Sequence, residues 1–355
     1  MPDHVRVTLA LPLTDAMVQQ IRDVDPRLDV TPLNRAERFV YREGRPLWAG
    51  YAEPPTPEGD VEGAKQSLEP VLRETEVLLS NPIVPDTIGE RAPNVKWVQL
   101  TSAGADRLIE SKLLLSGQAT ITTASGIHAI PISEYVIGAI IAFAKGFPRT
   151  ARAQPEHKWQ AFLPTELAGA TVAVLGLGAI GGRVAQLAKA LEMRVLAMRR
   201  SATKRMTGAE CGEPFIDEMF PTSDLHAVLA ESDYVVLSVP LTAESRHMIG
   251  EAAIAVMKPN AVIVNIARGA VIDHDAMIRA LKAGHIGGAA LDVTDPEPLP
   301  PESELWDLPN VMITPHISGG TPHYMDRAID LFCDNLRAYL DRKPLRNVVD
   351  ASRGY

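Results

Sequence analysis

A chain of 355 residues is longer than a single hydrophobic core usually serves, so two domains are expected. Its 46% apolar and 22% charged residues are ordinary for a soluble globular protein. The net charge of −9, with acids and bases interspersed, argues against nucleic acid or an anionic membrane as partner. Cys211 and Cys333 lie far apart without CxxC spacing. A single disulfide stays open, while two reduced thiols in a cytoplasmic protein is the preferred reading. The N-terminal "MPDHVRVTLALPLTD" has no basic stretch followed by an apolar run, so no signal peptide is expected.

In chain order, "VRVTLAL" (5–11), "VLLS" (77–80), "WVQL" (97–100) and "TITTA" (120–124) read as short strands. The helical "TDAMVQQIRDV" follows the first of them, and such alternation predicts a parallel sheet with helices on its faces. Residues 42–60, rich in Pro and Gly, read as a long loop. From Ile130 one amphipathic helix of roughly twenty residues is expected to run toward Arg149. Its apolar part, "YVIGAIIAFA" from Tyr135, is shorter than the ~20 residues that span a bilayer and reads as buried. The second half holds six apolar strand candidates: "TVAVLG" (171–176), "RVLAM" (194–198), "YVVLSV" (234–239), "AVIVNI" (261–266), "GAALDV" (288–293) and "VMITP" (311–315). Between them "SDLHAVLAES" is expected to open on a Ser cap, and "DHDAMIRALKAGH" to open on Asp and close on Gly284. Six near-continuous apolar strands fit a doubly wound α/β sheet buried on both faces.

The turn after the first of these strands, "VLGLGAIGG", places Gly176, Gly178 and Gly181 in G-x-G-x-x-G spacing, with Ala179 and Ile180 between them. Alone the string is weak; between an apolar strand and an Ala/Leu-rich helix it reads as a dinucleotide cradle. The first glycine permits the turn, the second lets backbone approach a pyrophosphate, and the third lets helix and strand pack. An acid normally ends the next strand and binds the ribose 2′-hydroxyl of NAD. Here Arg199, Arg200 and Ser201 stand there instead, a set suited to a 2′-phosphate, so NADP(H) is preferred and NAD(H) possible. If both arginines grip the phosphate, the preference is roughly 30- to 150-fold. The alternative is two solvated cations beside NAD bound without its acid.

Three later strands end on chemistry: "VNIARGAVID" delivers Arg268, "LDVTDPEPLP" delivers Asp292 and Glu297, and "ITPHISGG" delivers His316. In such sheets ligands collect at the carboxyl ends of strands. Arg grips a planar carboxylate with two parallel bonds, His trades a proton near neutral pH, and a neighbouring Glu favours its charged form. Taken singly, each has a plain reading as an ion-pair partner, a loop acid or one of nine histidines.

Together the stretches "VLGLGAIGGRVAQLAKALEMRVLA", "SDYVVLSVPLTAESRHMIG", "MKPNAVIVNIARGAVID", "ALDVTDPEPLP" and "NVMITPHISGGT" make the chain resemble the D-isomer-specific 2-hydroxyacid dehydrogenase family over nearly its whole length. The resemblance implies a Rossmann nucleotide domain, residues 126–316, inserted into a flavodoxin-like substrate domain of residues 1–125 completed by 317–355. It also implies a homodimer, joined through the nucleotide domains and the long connecting helix; no metal site is expected. Carried over by motif, Arg268 would bind the substrate carboxylate and keto oxygen. Glu297 would orient His316 and hold it protonated, and His316 would be the general acid and base. Ser102, Ala103 and Gly104 of "LTSAGADRL" would offer backbone N–H groups to the carboxylate. Val239, Pro240, Ile266 and Ala267 would line the cofactor, with Asp292 near the nicotinamide amide.

The departure is Arg199, where NAD-dependent members carry Asp; glyoxylate/hydroxypyruvate reductases with basic residues there tend toward NADPH. The expected activity is therefore NADPH-dependent reduction of a small 2-ketoacid, larger 2-ketoacids coming next. A phosphoglycerate dehydrogenase would want a basic phosphate site, and formate dehydrogenases pair the His with Gln. A corepressor-like protein that senses NAD(P)H is the rival from another class.

Overall fold

The computed structural model describes residues 4–45, 61–105, 108 and 111–350, so most of the expected 42–60 loop lies outside the described residues. The chain divides into two units, Met1–Ile127 with Thr321–Tyr355, and His128–Gly320. The second boundary falls past the expected 316 because the backbone N–H groups of Ile317 and Ser318 donate to Asp292, which keeps that turn on the second unit.

The first unit is a five-stranded parallel sheet: β1 (Val5–Leu9), β2 (Leu28–Pro32), β3 (Val77–Ser80), β4 (Trp97–Leu100) and β5 (Thr120–Thr122). The order β2-β1-β3-β4-β5 is flavodoxin-like. Alternation along β3 shows why it packs on both faces. Val77 and Leu79 join Val7, Leu9, Val18 and Ile21 on one side. Leu78 joins Leu68, Leu72, Val98 and Ile121 on the other. The helix Tyr324–Leu340 returns from the far end of the chain to the first face, burying Ile329, Phe332 and Leu336 there. Such fully buried side chains each contribute about 1.5–3 kcal/mol.

The second unit carries β6 (Thr171–Leu175), β7 (Arg194–Met198), β8 (Met206–Thr207), β9 (Glu218–Phe220), β10 (Tyr234–Leu237), β11 (Val262–Asn265), β12 (Gly288–Leu291) and β13 (Val311–Ile313). Their order is β13-β12-β11-β10-β6-β7-β9-β8, parallel except for β8 on β9. The six expected strands are all present, and β8 and β9 extend one edge. From β6 the chain winds outward through β7, then returns to lay β10 on the other side of β6. That reversal is the switch point at which ligands bind.

Two helix expectations need correction. The run from Ile130 forms two helices, Ala129–Ala144 and Phe147–Ala153, bent by 63°. Gly146 between them has a left-handed φ of +68°, and Pro148 is tolerated only because it falls in the first turn of a new helix. Ser223 does not cap a helix; it sits in the 3₁₀ turn Thr222–Asp224 and donates to Asp224, and the helix Leu225–Glu231 starts without a side-chain cap. The helix His274–Lys282 does open on Asp273, which accepts from Ala276 N–H at 3.0 Å, and Gly284 turns the chain after it with φ +67°.

Among the described residues no single helix is long and apolar enough to cross a membrane. The helix Ala129–Ala144 instead buries Ile132, Val136 and Ile140 in a core shared with Val184 and Ala188. Both cysteines are free thiols, and burial pushes the Cys333 thiol up to about 11.

Candidate active site

The glycine turn sits at the switch point. Gly176 follows β6 with φ +101°, and a Cβ there would lie 2.4 Å from the Ser238 carbonyl oxygen that follows β10. At Gly181 a Cβ would lie 2.0 Å from the Gly176 carbonyl oxygen, so helix and strand are in backbone contact. Gly178 is the opposite case: a Cβ there meets no atom within 4 Å. Its open side faces out at the start of the helix Ala179–Ala190, which has no acid in its first turn. The first N–H groups of a helix lack intrahelical acceptors and favour an anion. Exposed Ala179, half-buried Ile180 and buried Gly181 form that first turn.

Arg199 and Arg200 leave β7, with Ser201 exposed beyond them. Arg199 Nη1 donates to Glu213 Oε1 at 2.9 Å. Val239 is half-buried after β10, and Ser245 Oγ donates to the Pro240 carbonyl at 2.7 Å, which fixes that loop. Ile266 and Ala267 are buried after β11.

The turn carrying Arg268 is built by Asn265, fully buried at the end of β11. Its side-chain oxygen accepts from Ala267 N–H and its amide donates to the Arg268 carbonyl, both at 3.0 Å. Next in the chain, Gly269 packs on the backbone of the loop that leads to Glu297: a Cβ would lie 2.0 Å from the Thr294 carbonyl carbon. Arg268 is half-buried, and its Nη1 donates to the Ala267 carbonyl at 2.7 Å.

His316 has a left-handed φ of +54°, uncommon for a residue with a Cβ. Its N–H is held by the carbonyls of Asp292 and Thr314, at 2.8 and 2.9 Å. The Asp292 side chain braces the same turn: Oδ1 accepts from Thr314 Oγ1 at 2.6 Å and from Ile317 N–H at 2.9 Å, and Oδ2 from Ser318 N–H at 2.9 Å. With the threonine hydrogen committed, Tyr135 donates its phenol to Thr314 Oγ1 at 2.9 Å, and burial raises that phenol above its ordinary range. Glu297 reaches His316 Nδ1 with Oε1 at 2.6 Å, the two side chains being 37% and 31% exposed. The imidazole is thus anchored through Nδ1 and remains partly exposed.

The structure brings Glu297 and His316 into direct contact and ties the Arg268 turn to the loop carrying Glu297. Asp292, expected beside the nicotinamide, is 2% exposed and visibly holds the His316 turn. Ser102, Ala103 and Gly104 are half-buried in the first unit after β4, where Ser102 Oγ donates to the Gly104 carbonyl at 2.8 Å. Sequence reasoning missed Asn265, Thr314, Tyr135 and Glu213. A polar Asn or Thr closing an apolar strand was the available sign for two of them, since a buried amide or hydroxyl must be bonded.

A contacting Glu–His pair, an arginine at a strand end and a glycine turn that opens a helix all lie in the second unit, and such a set fits a dinucleotide-dependent oxidoreductase. Residues 137–318 match the family described as D-isomer specific 2-hydroxyacid dehydrogenase, NAD binding domain. The chain is 33% identical to a glyoxylate reductase of Korarchaeum cryptofilum, over 74% of this chain and 78% of that one. It is 33% identical to a D-3-phosphoglycerate dehydrogenase of Archaeoglobus fulgidus, over 74% of this chain but 48% of that one. Among solved structures, a D-isomer specific 2-hydroxyacid dehydrogenase of Xanthobacter autotrophicus in complex with NADPH and MES superposes with a TM-score of 0.77 at 27% identity, covering 99% of this chain and 100% of that one. The chain belongs to the D-isomer specific 2-hydroxyacid dehydrogenase family.

Proposed function

We propose that the protein is an NADPH-dependent reductase of small 2-ketoacids, glyoxylate and hydroxypyruvate foremost, which yields the D-2-hydroxyacid. The observation that carries this reading is the 2.6 Å contact between Glu297 and His316 Nδ1 at the end of β13.

The residues fit a dinucleotide. The open side of Gly178 leaves a space that any side chain would fill, and the helix behind it presents N–H groups to a pyrophosphate. Arg199 supplies a cation where the 2′-phosphate would lie. The bound cofactor supplies a hydride to the keto carbon.

The chain's own residues do the rest. His316, oriented by Glu297 through Nδ1, gives a proton from Nε2 to the developing alkoxide and takes it back in the reverse direction. Arg268 grips the carboxylate and stabilises the charge that grows on the keto oxygen. A similar structure solved in complex with NADPH and a relative named glyoxylate reductase support this assignment. The expected homodimer belongs to the same proposal. We place that dimer in the cytoplasm.

The test is a panel of glyoxylate, hydroxypyruvate, 3-phosphohydroxypyruvate and a branched 2-ketoacid, each with NADPH and with NADH. The small unphosphorylated acids should give the highest kcat/KM. A clear preference for the phosphorylated substrate would replace this reading by phosphoglycerate dehydrogenation. No turnover of any of them, with the cofactors still bound, would favour a nucleotide-sensing binding protein.

A further inference from the structure

The first of the two arginines that end β7 already faces an acid. Arg199 meets Glu213, with side chains 37% and 34% exposed.

The backbone from which Glu213 reaches Arg199 is held in place. Glu213 follows Gly212, whose φ is +73°, and its N–H donates to the Gly208 carbonyl at 2.9 Å. Gly208 is itself in backbone contact, where a Cβ would lie 2.0 Å from the Ile216 carbonyl oxygen. The grip on Arg199 is nevertheless a single bond. Arg199 Nε is buried without a hydrogen-bond partner, so the two-bond fork that makes arginine–carboxylate pairs strong is not formed. A stronger anion can displace it.

An acid at this corner is also what the end of β7 lacks. A carboxylate there accepts the ribose 2′-hydroxyl of NAD and repels a 2′-phosphate. We propose that Glu213 sets the cofactor specificity: it accepts the 2′-hydroxyl of NAD(H) and competes with the 2′-phosphate of NADP(H) for Arg199. The enzyme then uses both cofactors, and its preference for NADPH drops from the 30- to 150-fold of two unopposed arginines to about tenfold or less. This inference rests on the reading of Arg199 as the phosphate partner.

Calorimetric titration of NADP⁺, NAD⁺, adenosine 2′,5′-bisphosphate and 5′-AMP into wild type, Glu213→Gln, Arg199→Ala and the double variant tests it without turnover. Glu213→Gln should tighten NADP⁺ and the bisphosphate by about 5- to 10-fold. The same variant should loosen NAD⁺ and steepen the salt dependence of NADP⁺ binding. In the Arg199→Ala background the gain for NADP⁺ should shrink to the part owed to repulsion of the phosphate by the carboxylate. Unchanged or weaker NADP⁺ binding by Glu213→Gln, or a gain of the same size without Arg199, overturns the proposal. If Arg199→Ala leaves NADP⁺ binding untouched in the wild-type background, the phosphate reading of Arg199 fails and the proposal falls with it. If Arg199→Ala weakens NADP⁺ while Glu213→Gln is silent, only the role of Glu213 is lost.

Discussion

Arg268 donates Nη1 to the Ala267 carbonyl. In the proposed role its planar guanidinium also takes the substrate carboxylate with two bonds, which a lysine cannot do. Arg268→Lys should therefore lower kcat/KM for glyoxylate by at least about 100-fold, the size expected when a buried two-bond contact worth about 3 kcal/mol is lost. A steady-state comparison of both forms at saturating NADPH checks it, and a loss under tenfold would remove Arg268 from carboxylate binding. The contact of Glu297 with His316 was legible in the sequence because both follow buried apolar strands; the structural bonds of Asn265, Asp292 and Thr314 at the same strand ends were not. Glu213 was not legible. It reaches Arg199 from a separate turn 14 residues away in the chain, and nothing local marks an acid as the partner of a distant strand end.

At the scale of elements, the turn from Thr314 to Ser318 is the device that presents His316. A left-handed backbone at a residue with a Cβ costs of order 1–3 kcal/mol and persists only where the surroundings impose it. Here Asp292 and Thr314 impose it, and Tyr135 ties that turn to the helix Ala129–Ala144. Thr314→Val keeps the shape and removes both hydroxyl bonds, leaving polar groups unpaired at a cost of about 1–3 kcal/mol. Expected are a kcat lower by about tenfold, a KM for NADPH that barely moves and a lower Tm; an unchanged kcat would show that the brace is not needed. His274, which opens the helix His274–Lys282, gives a pH signature. Burial lowers its imidazole below the ordinary 6.5, with Asp295 opposing. The unfolded chain then binds that proton more readily, so stability is lost as pH falls below about 6.5 and levels off beneath the folded value. His274→Gln should flatten the fall of Tm between about pH 7 and 5; an identical fall would assign the acid sensitivity elsewhere. The central strands were readable because burial on both faces leaves continuous apolar runs. β2, β8 and β9 were not: β2 ends on Pro32, β8 is two residues long, and the helices Arg35–Tyr41 and Val61–Glu74 flank a Pro- and Gly-rich stretch that masks their periodicity.

At the scale of the molecule, the last helix completes a unit begun some 300 residues earlier. Phe332 is fully buried, with its ring 5.3 Å from that of Trp97 on β4. Phe332→Ala should destabilise the first unit by about 3–5 kcal/mol. Unfolding followed by Trp fluorescence should show an early transition, while NADP⁺ binding by the second unit survives it; simultaneous loss of both would mean that the units unfold as one. The central claim is that His316, oriented by Glu297 through Nδ1, gives the proton when this sheet reduces a 2-ketoacid. It is tested most directly by the NADPH-dependent reduction of glyoxylate by His316→Ala, beside the affinity of the same variant for NADP⁺. The account predicts that kcat falls by about 10²–10⁴ while NADP⁺ affinity stays within about twofold of wild type. A variant that binds NADP⁺ normally and reduces glyoxylate at close to the wild-type rate would contradict it.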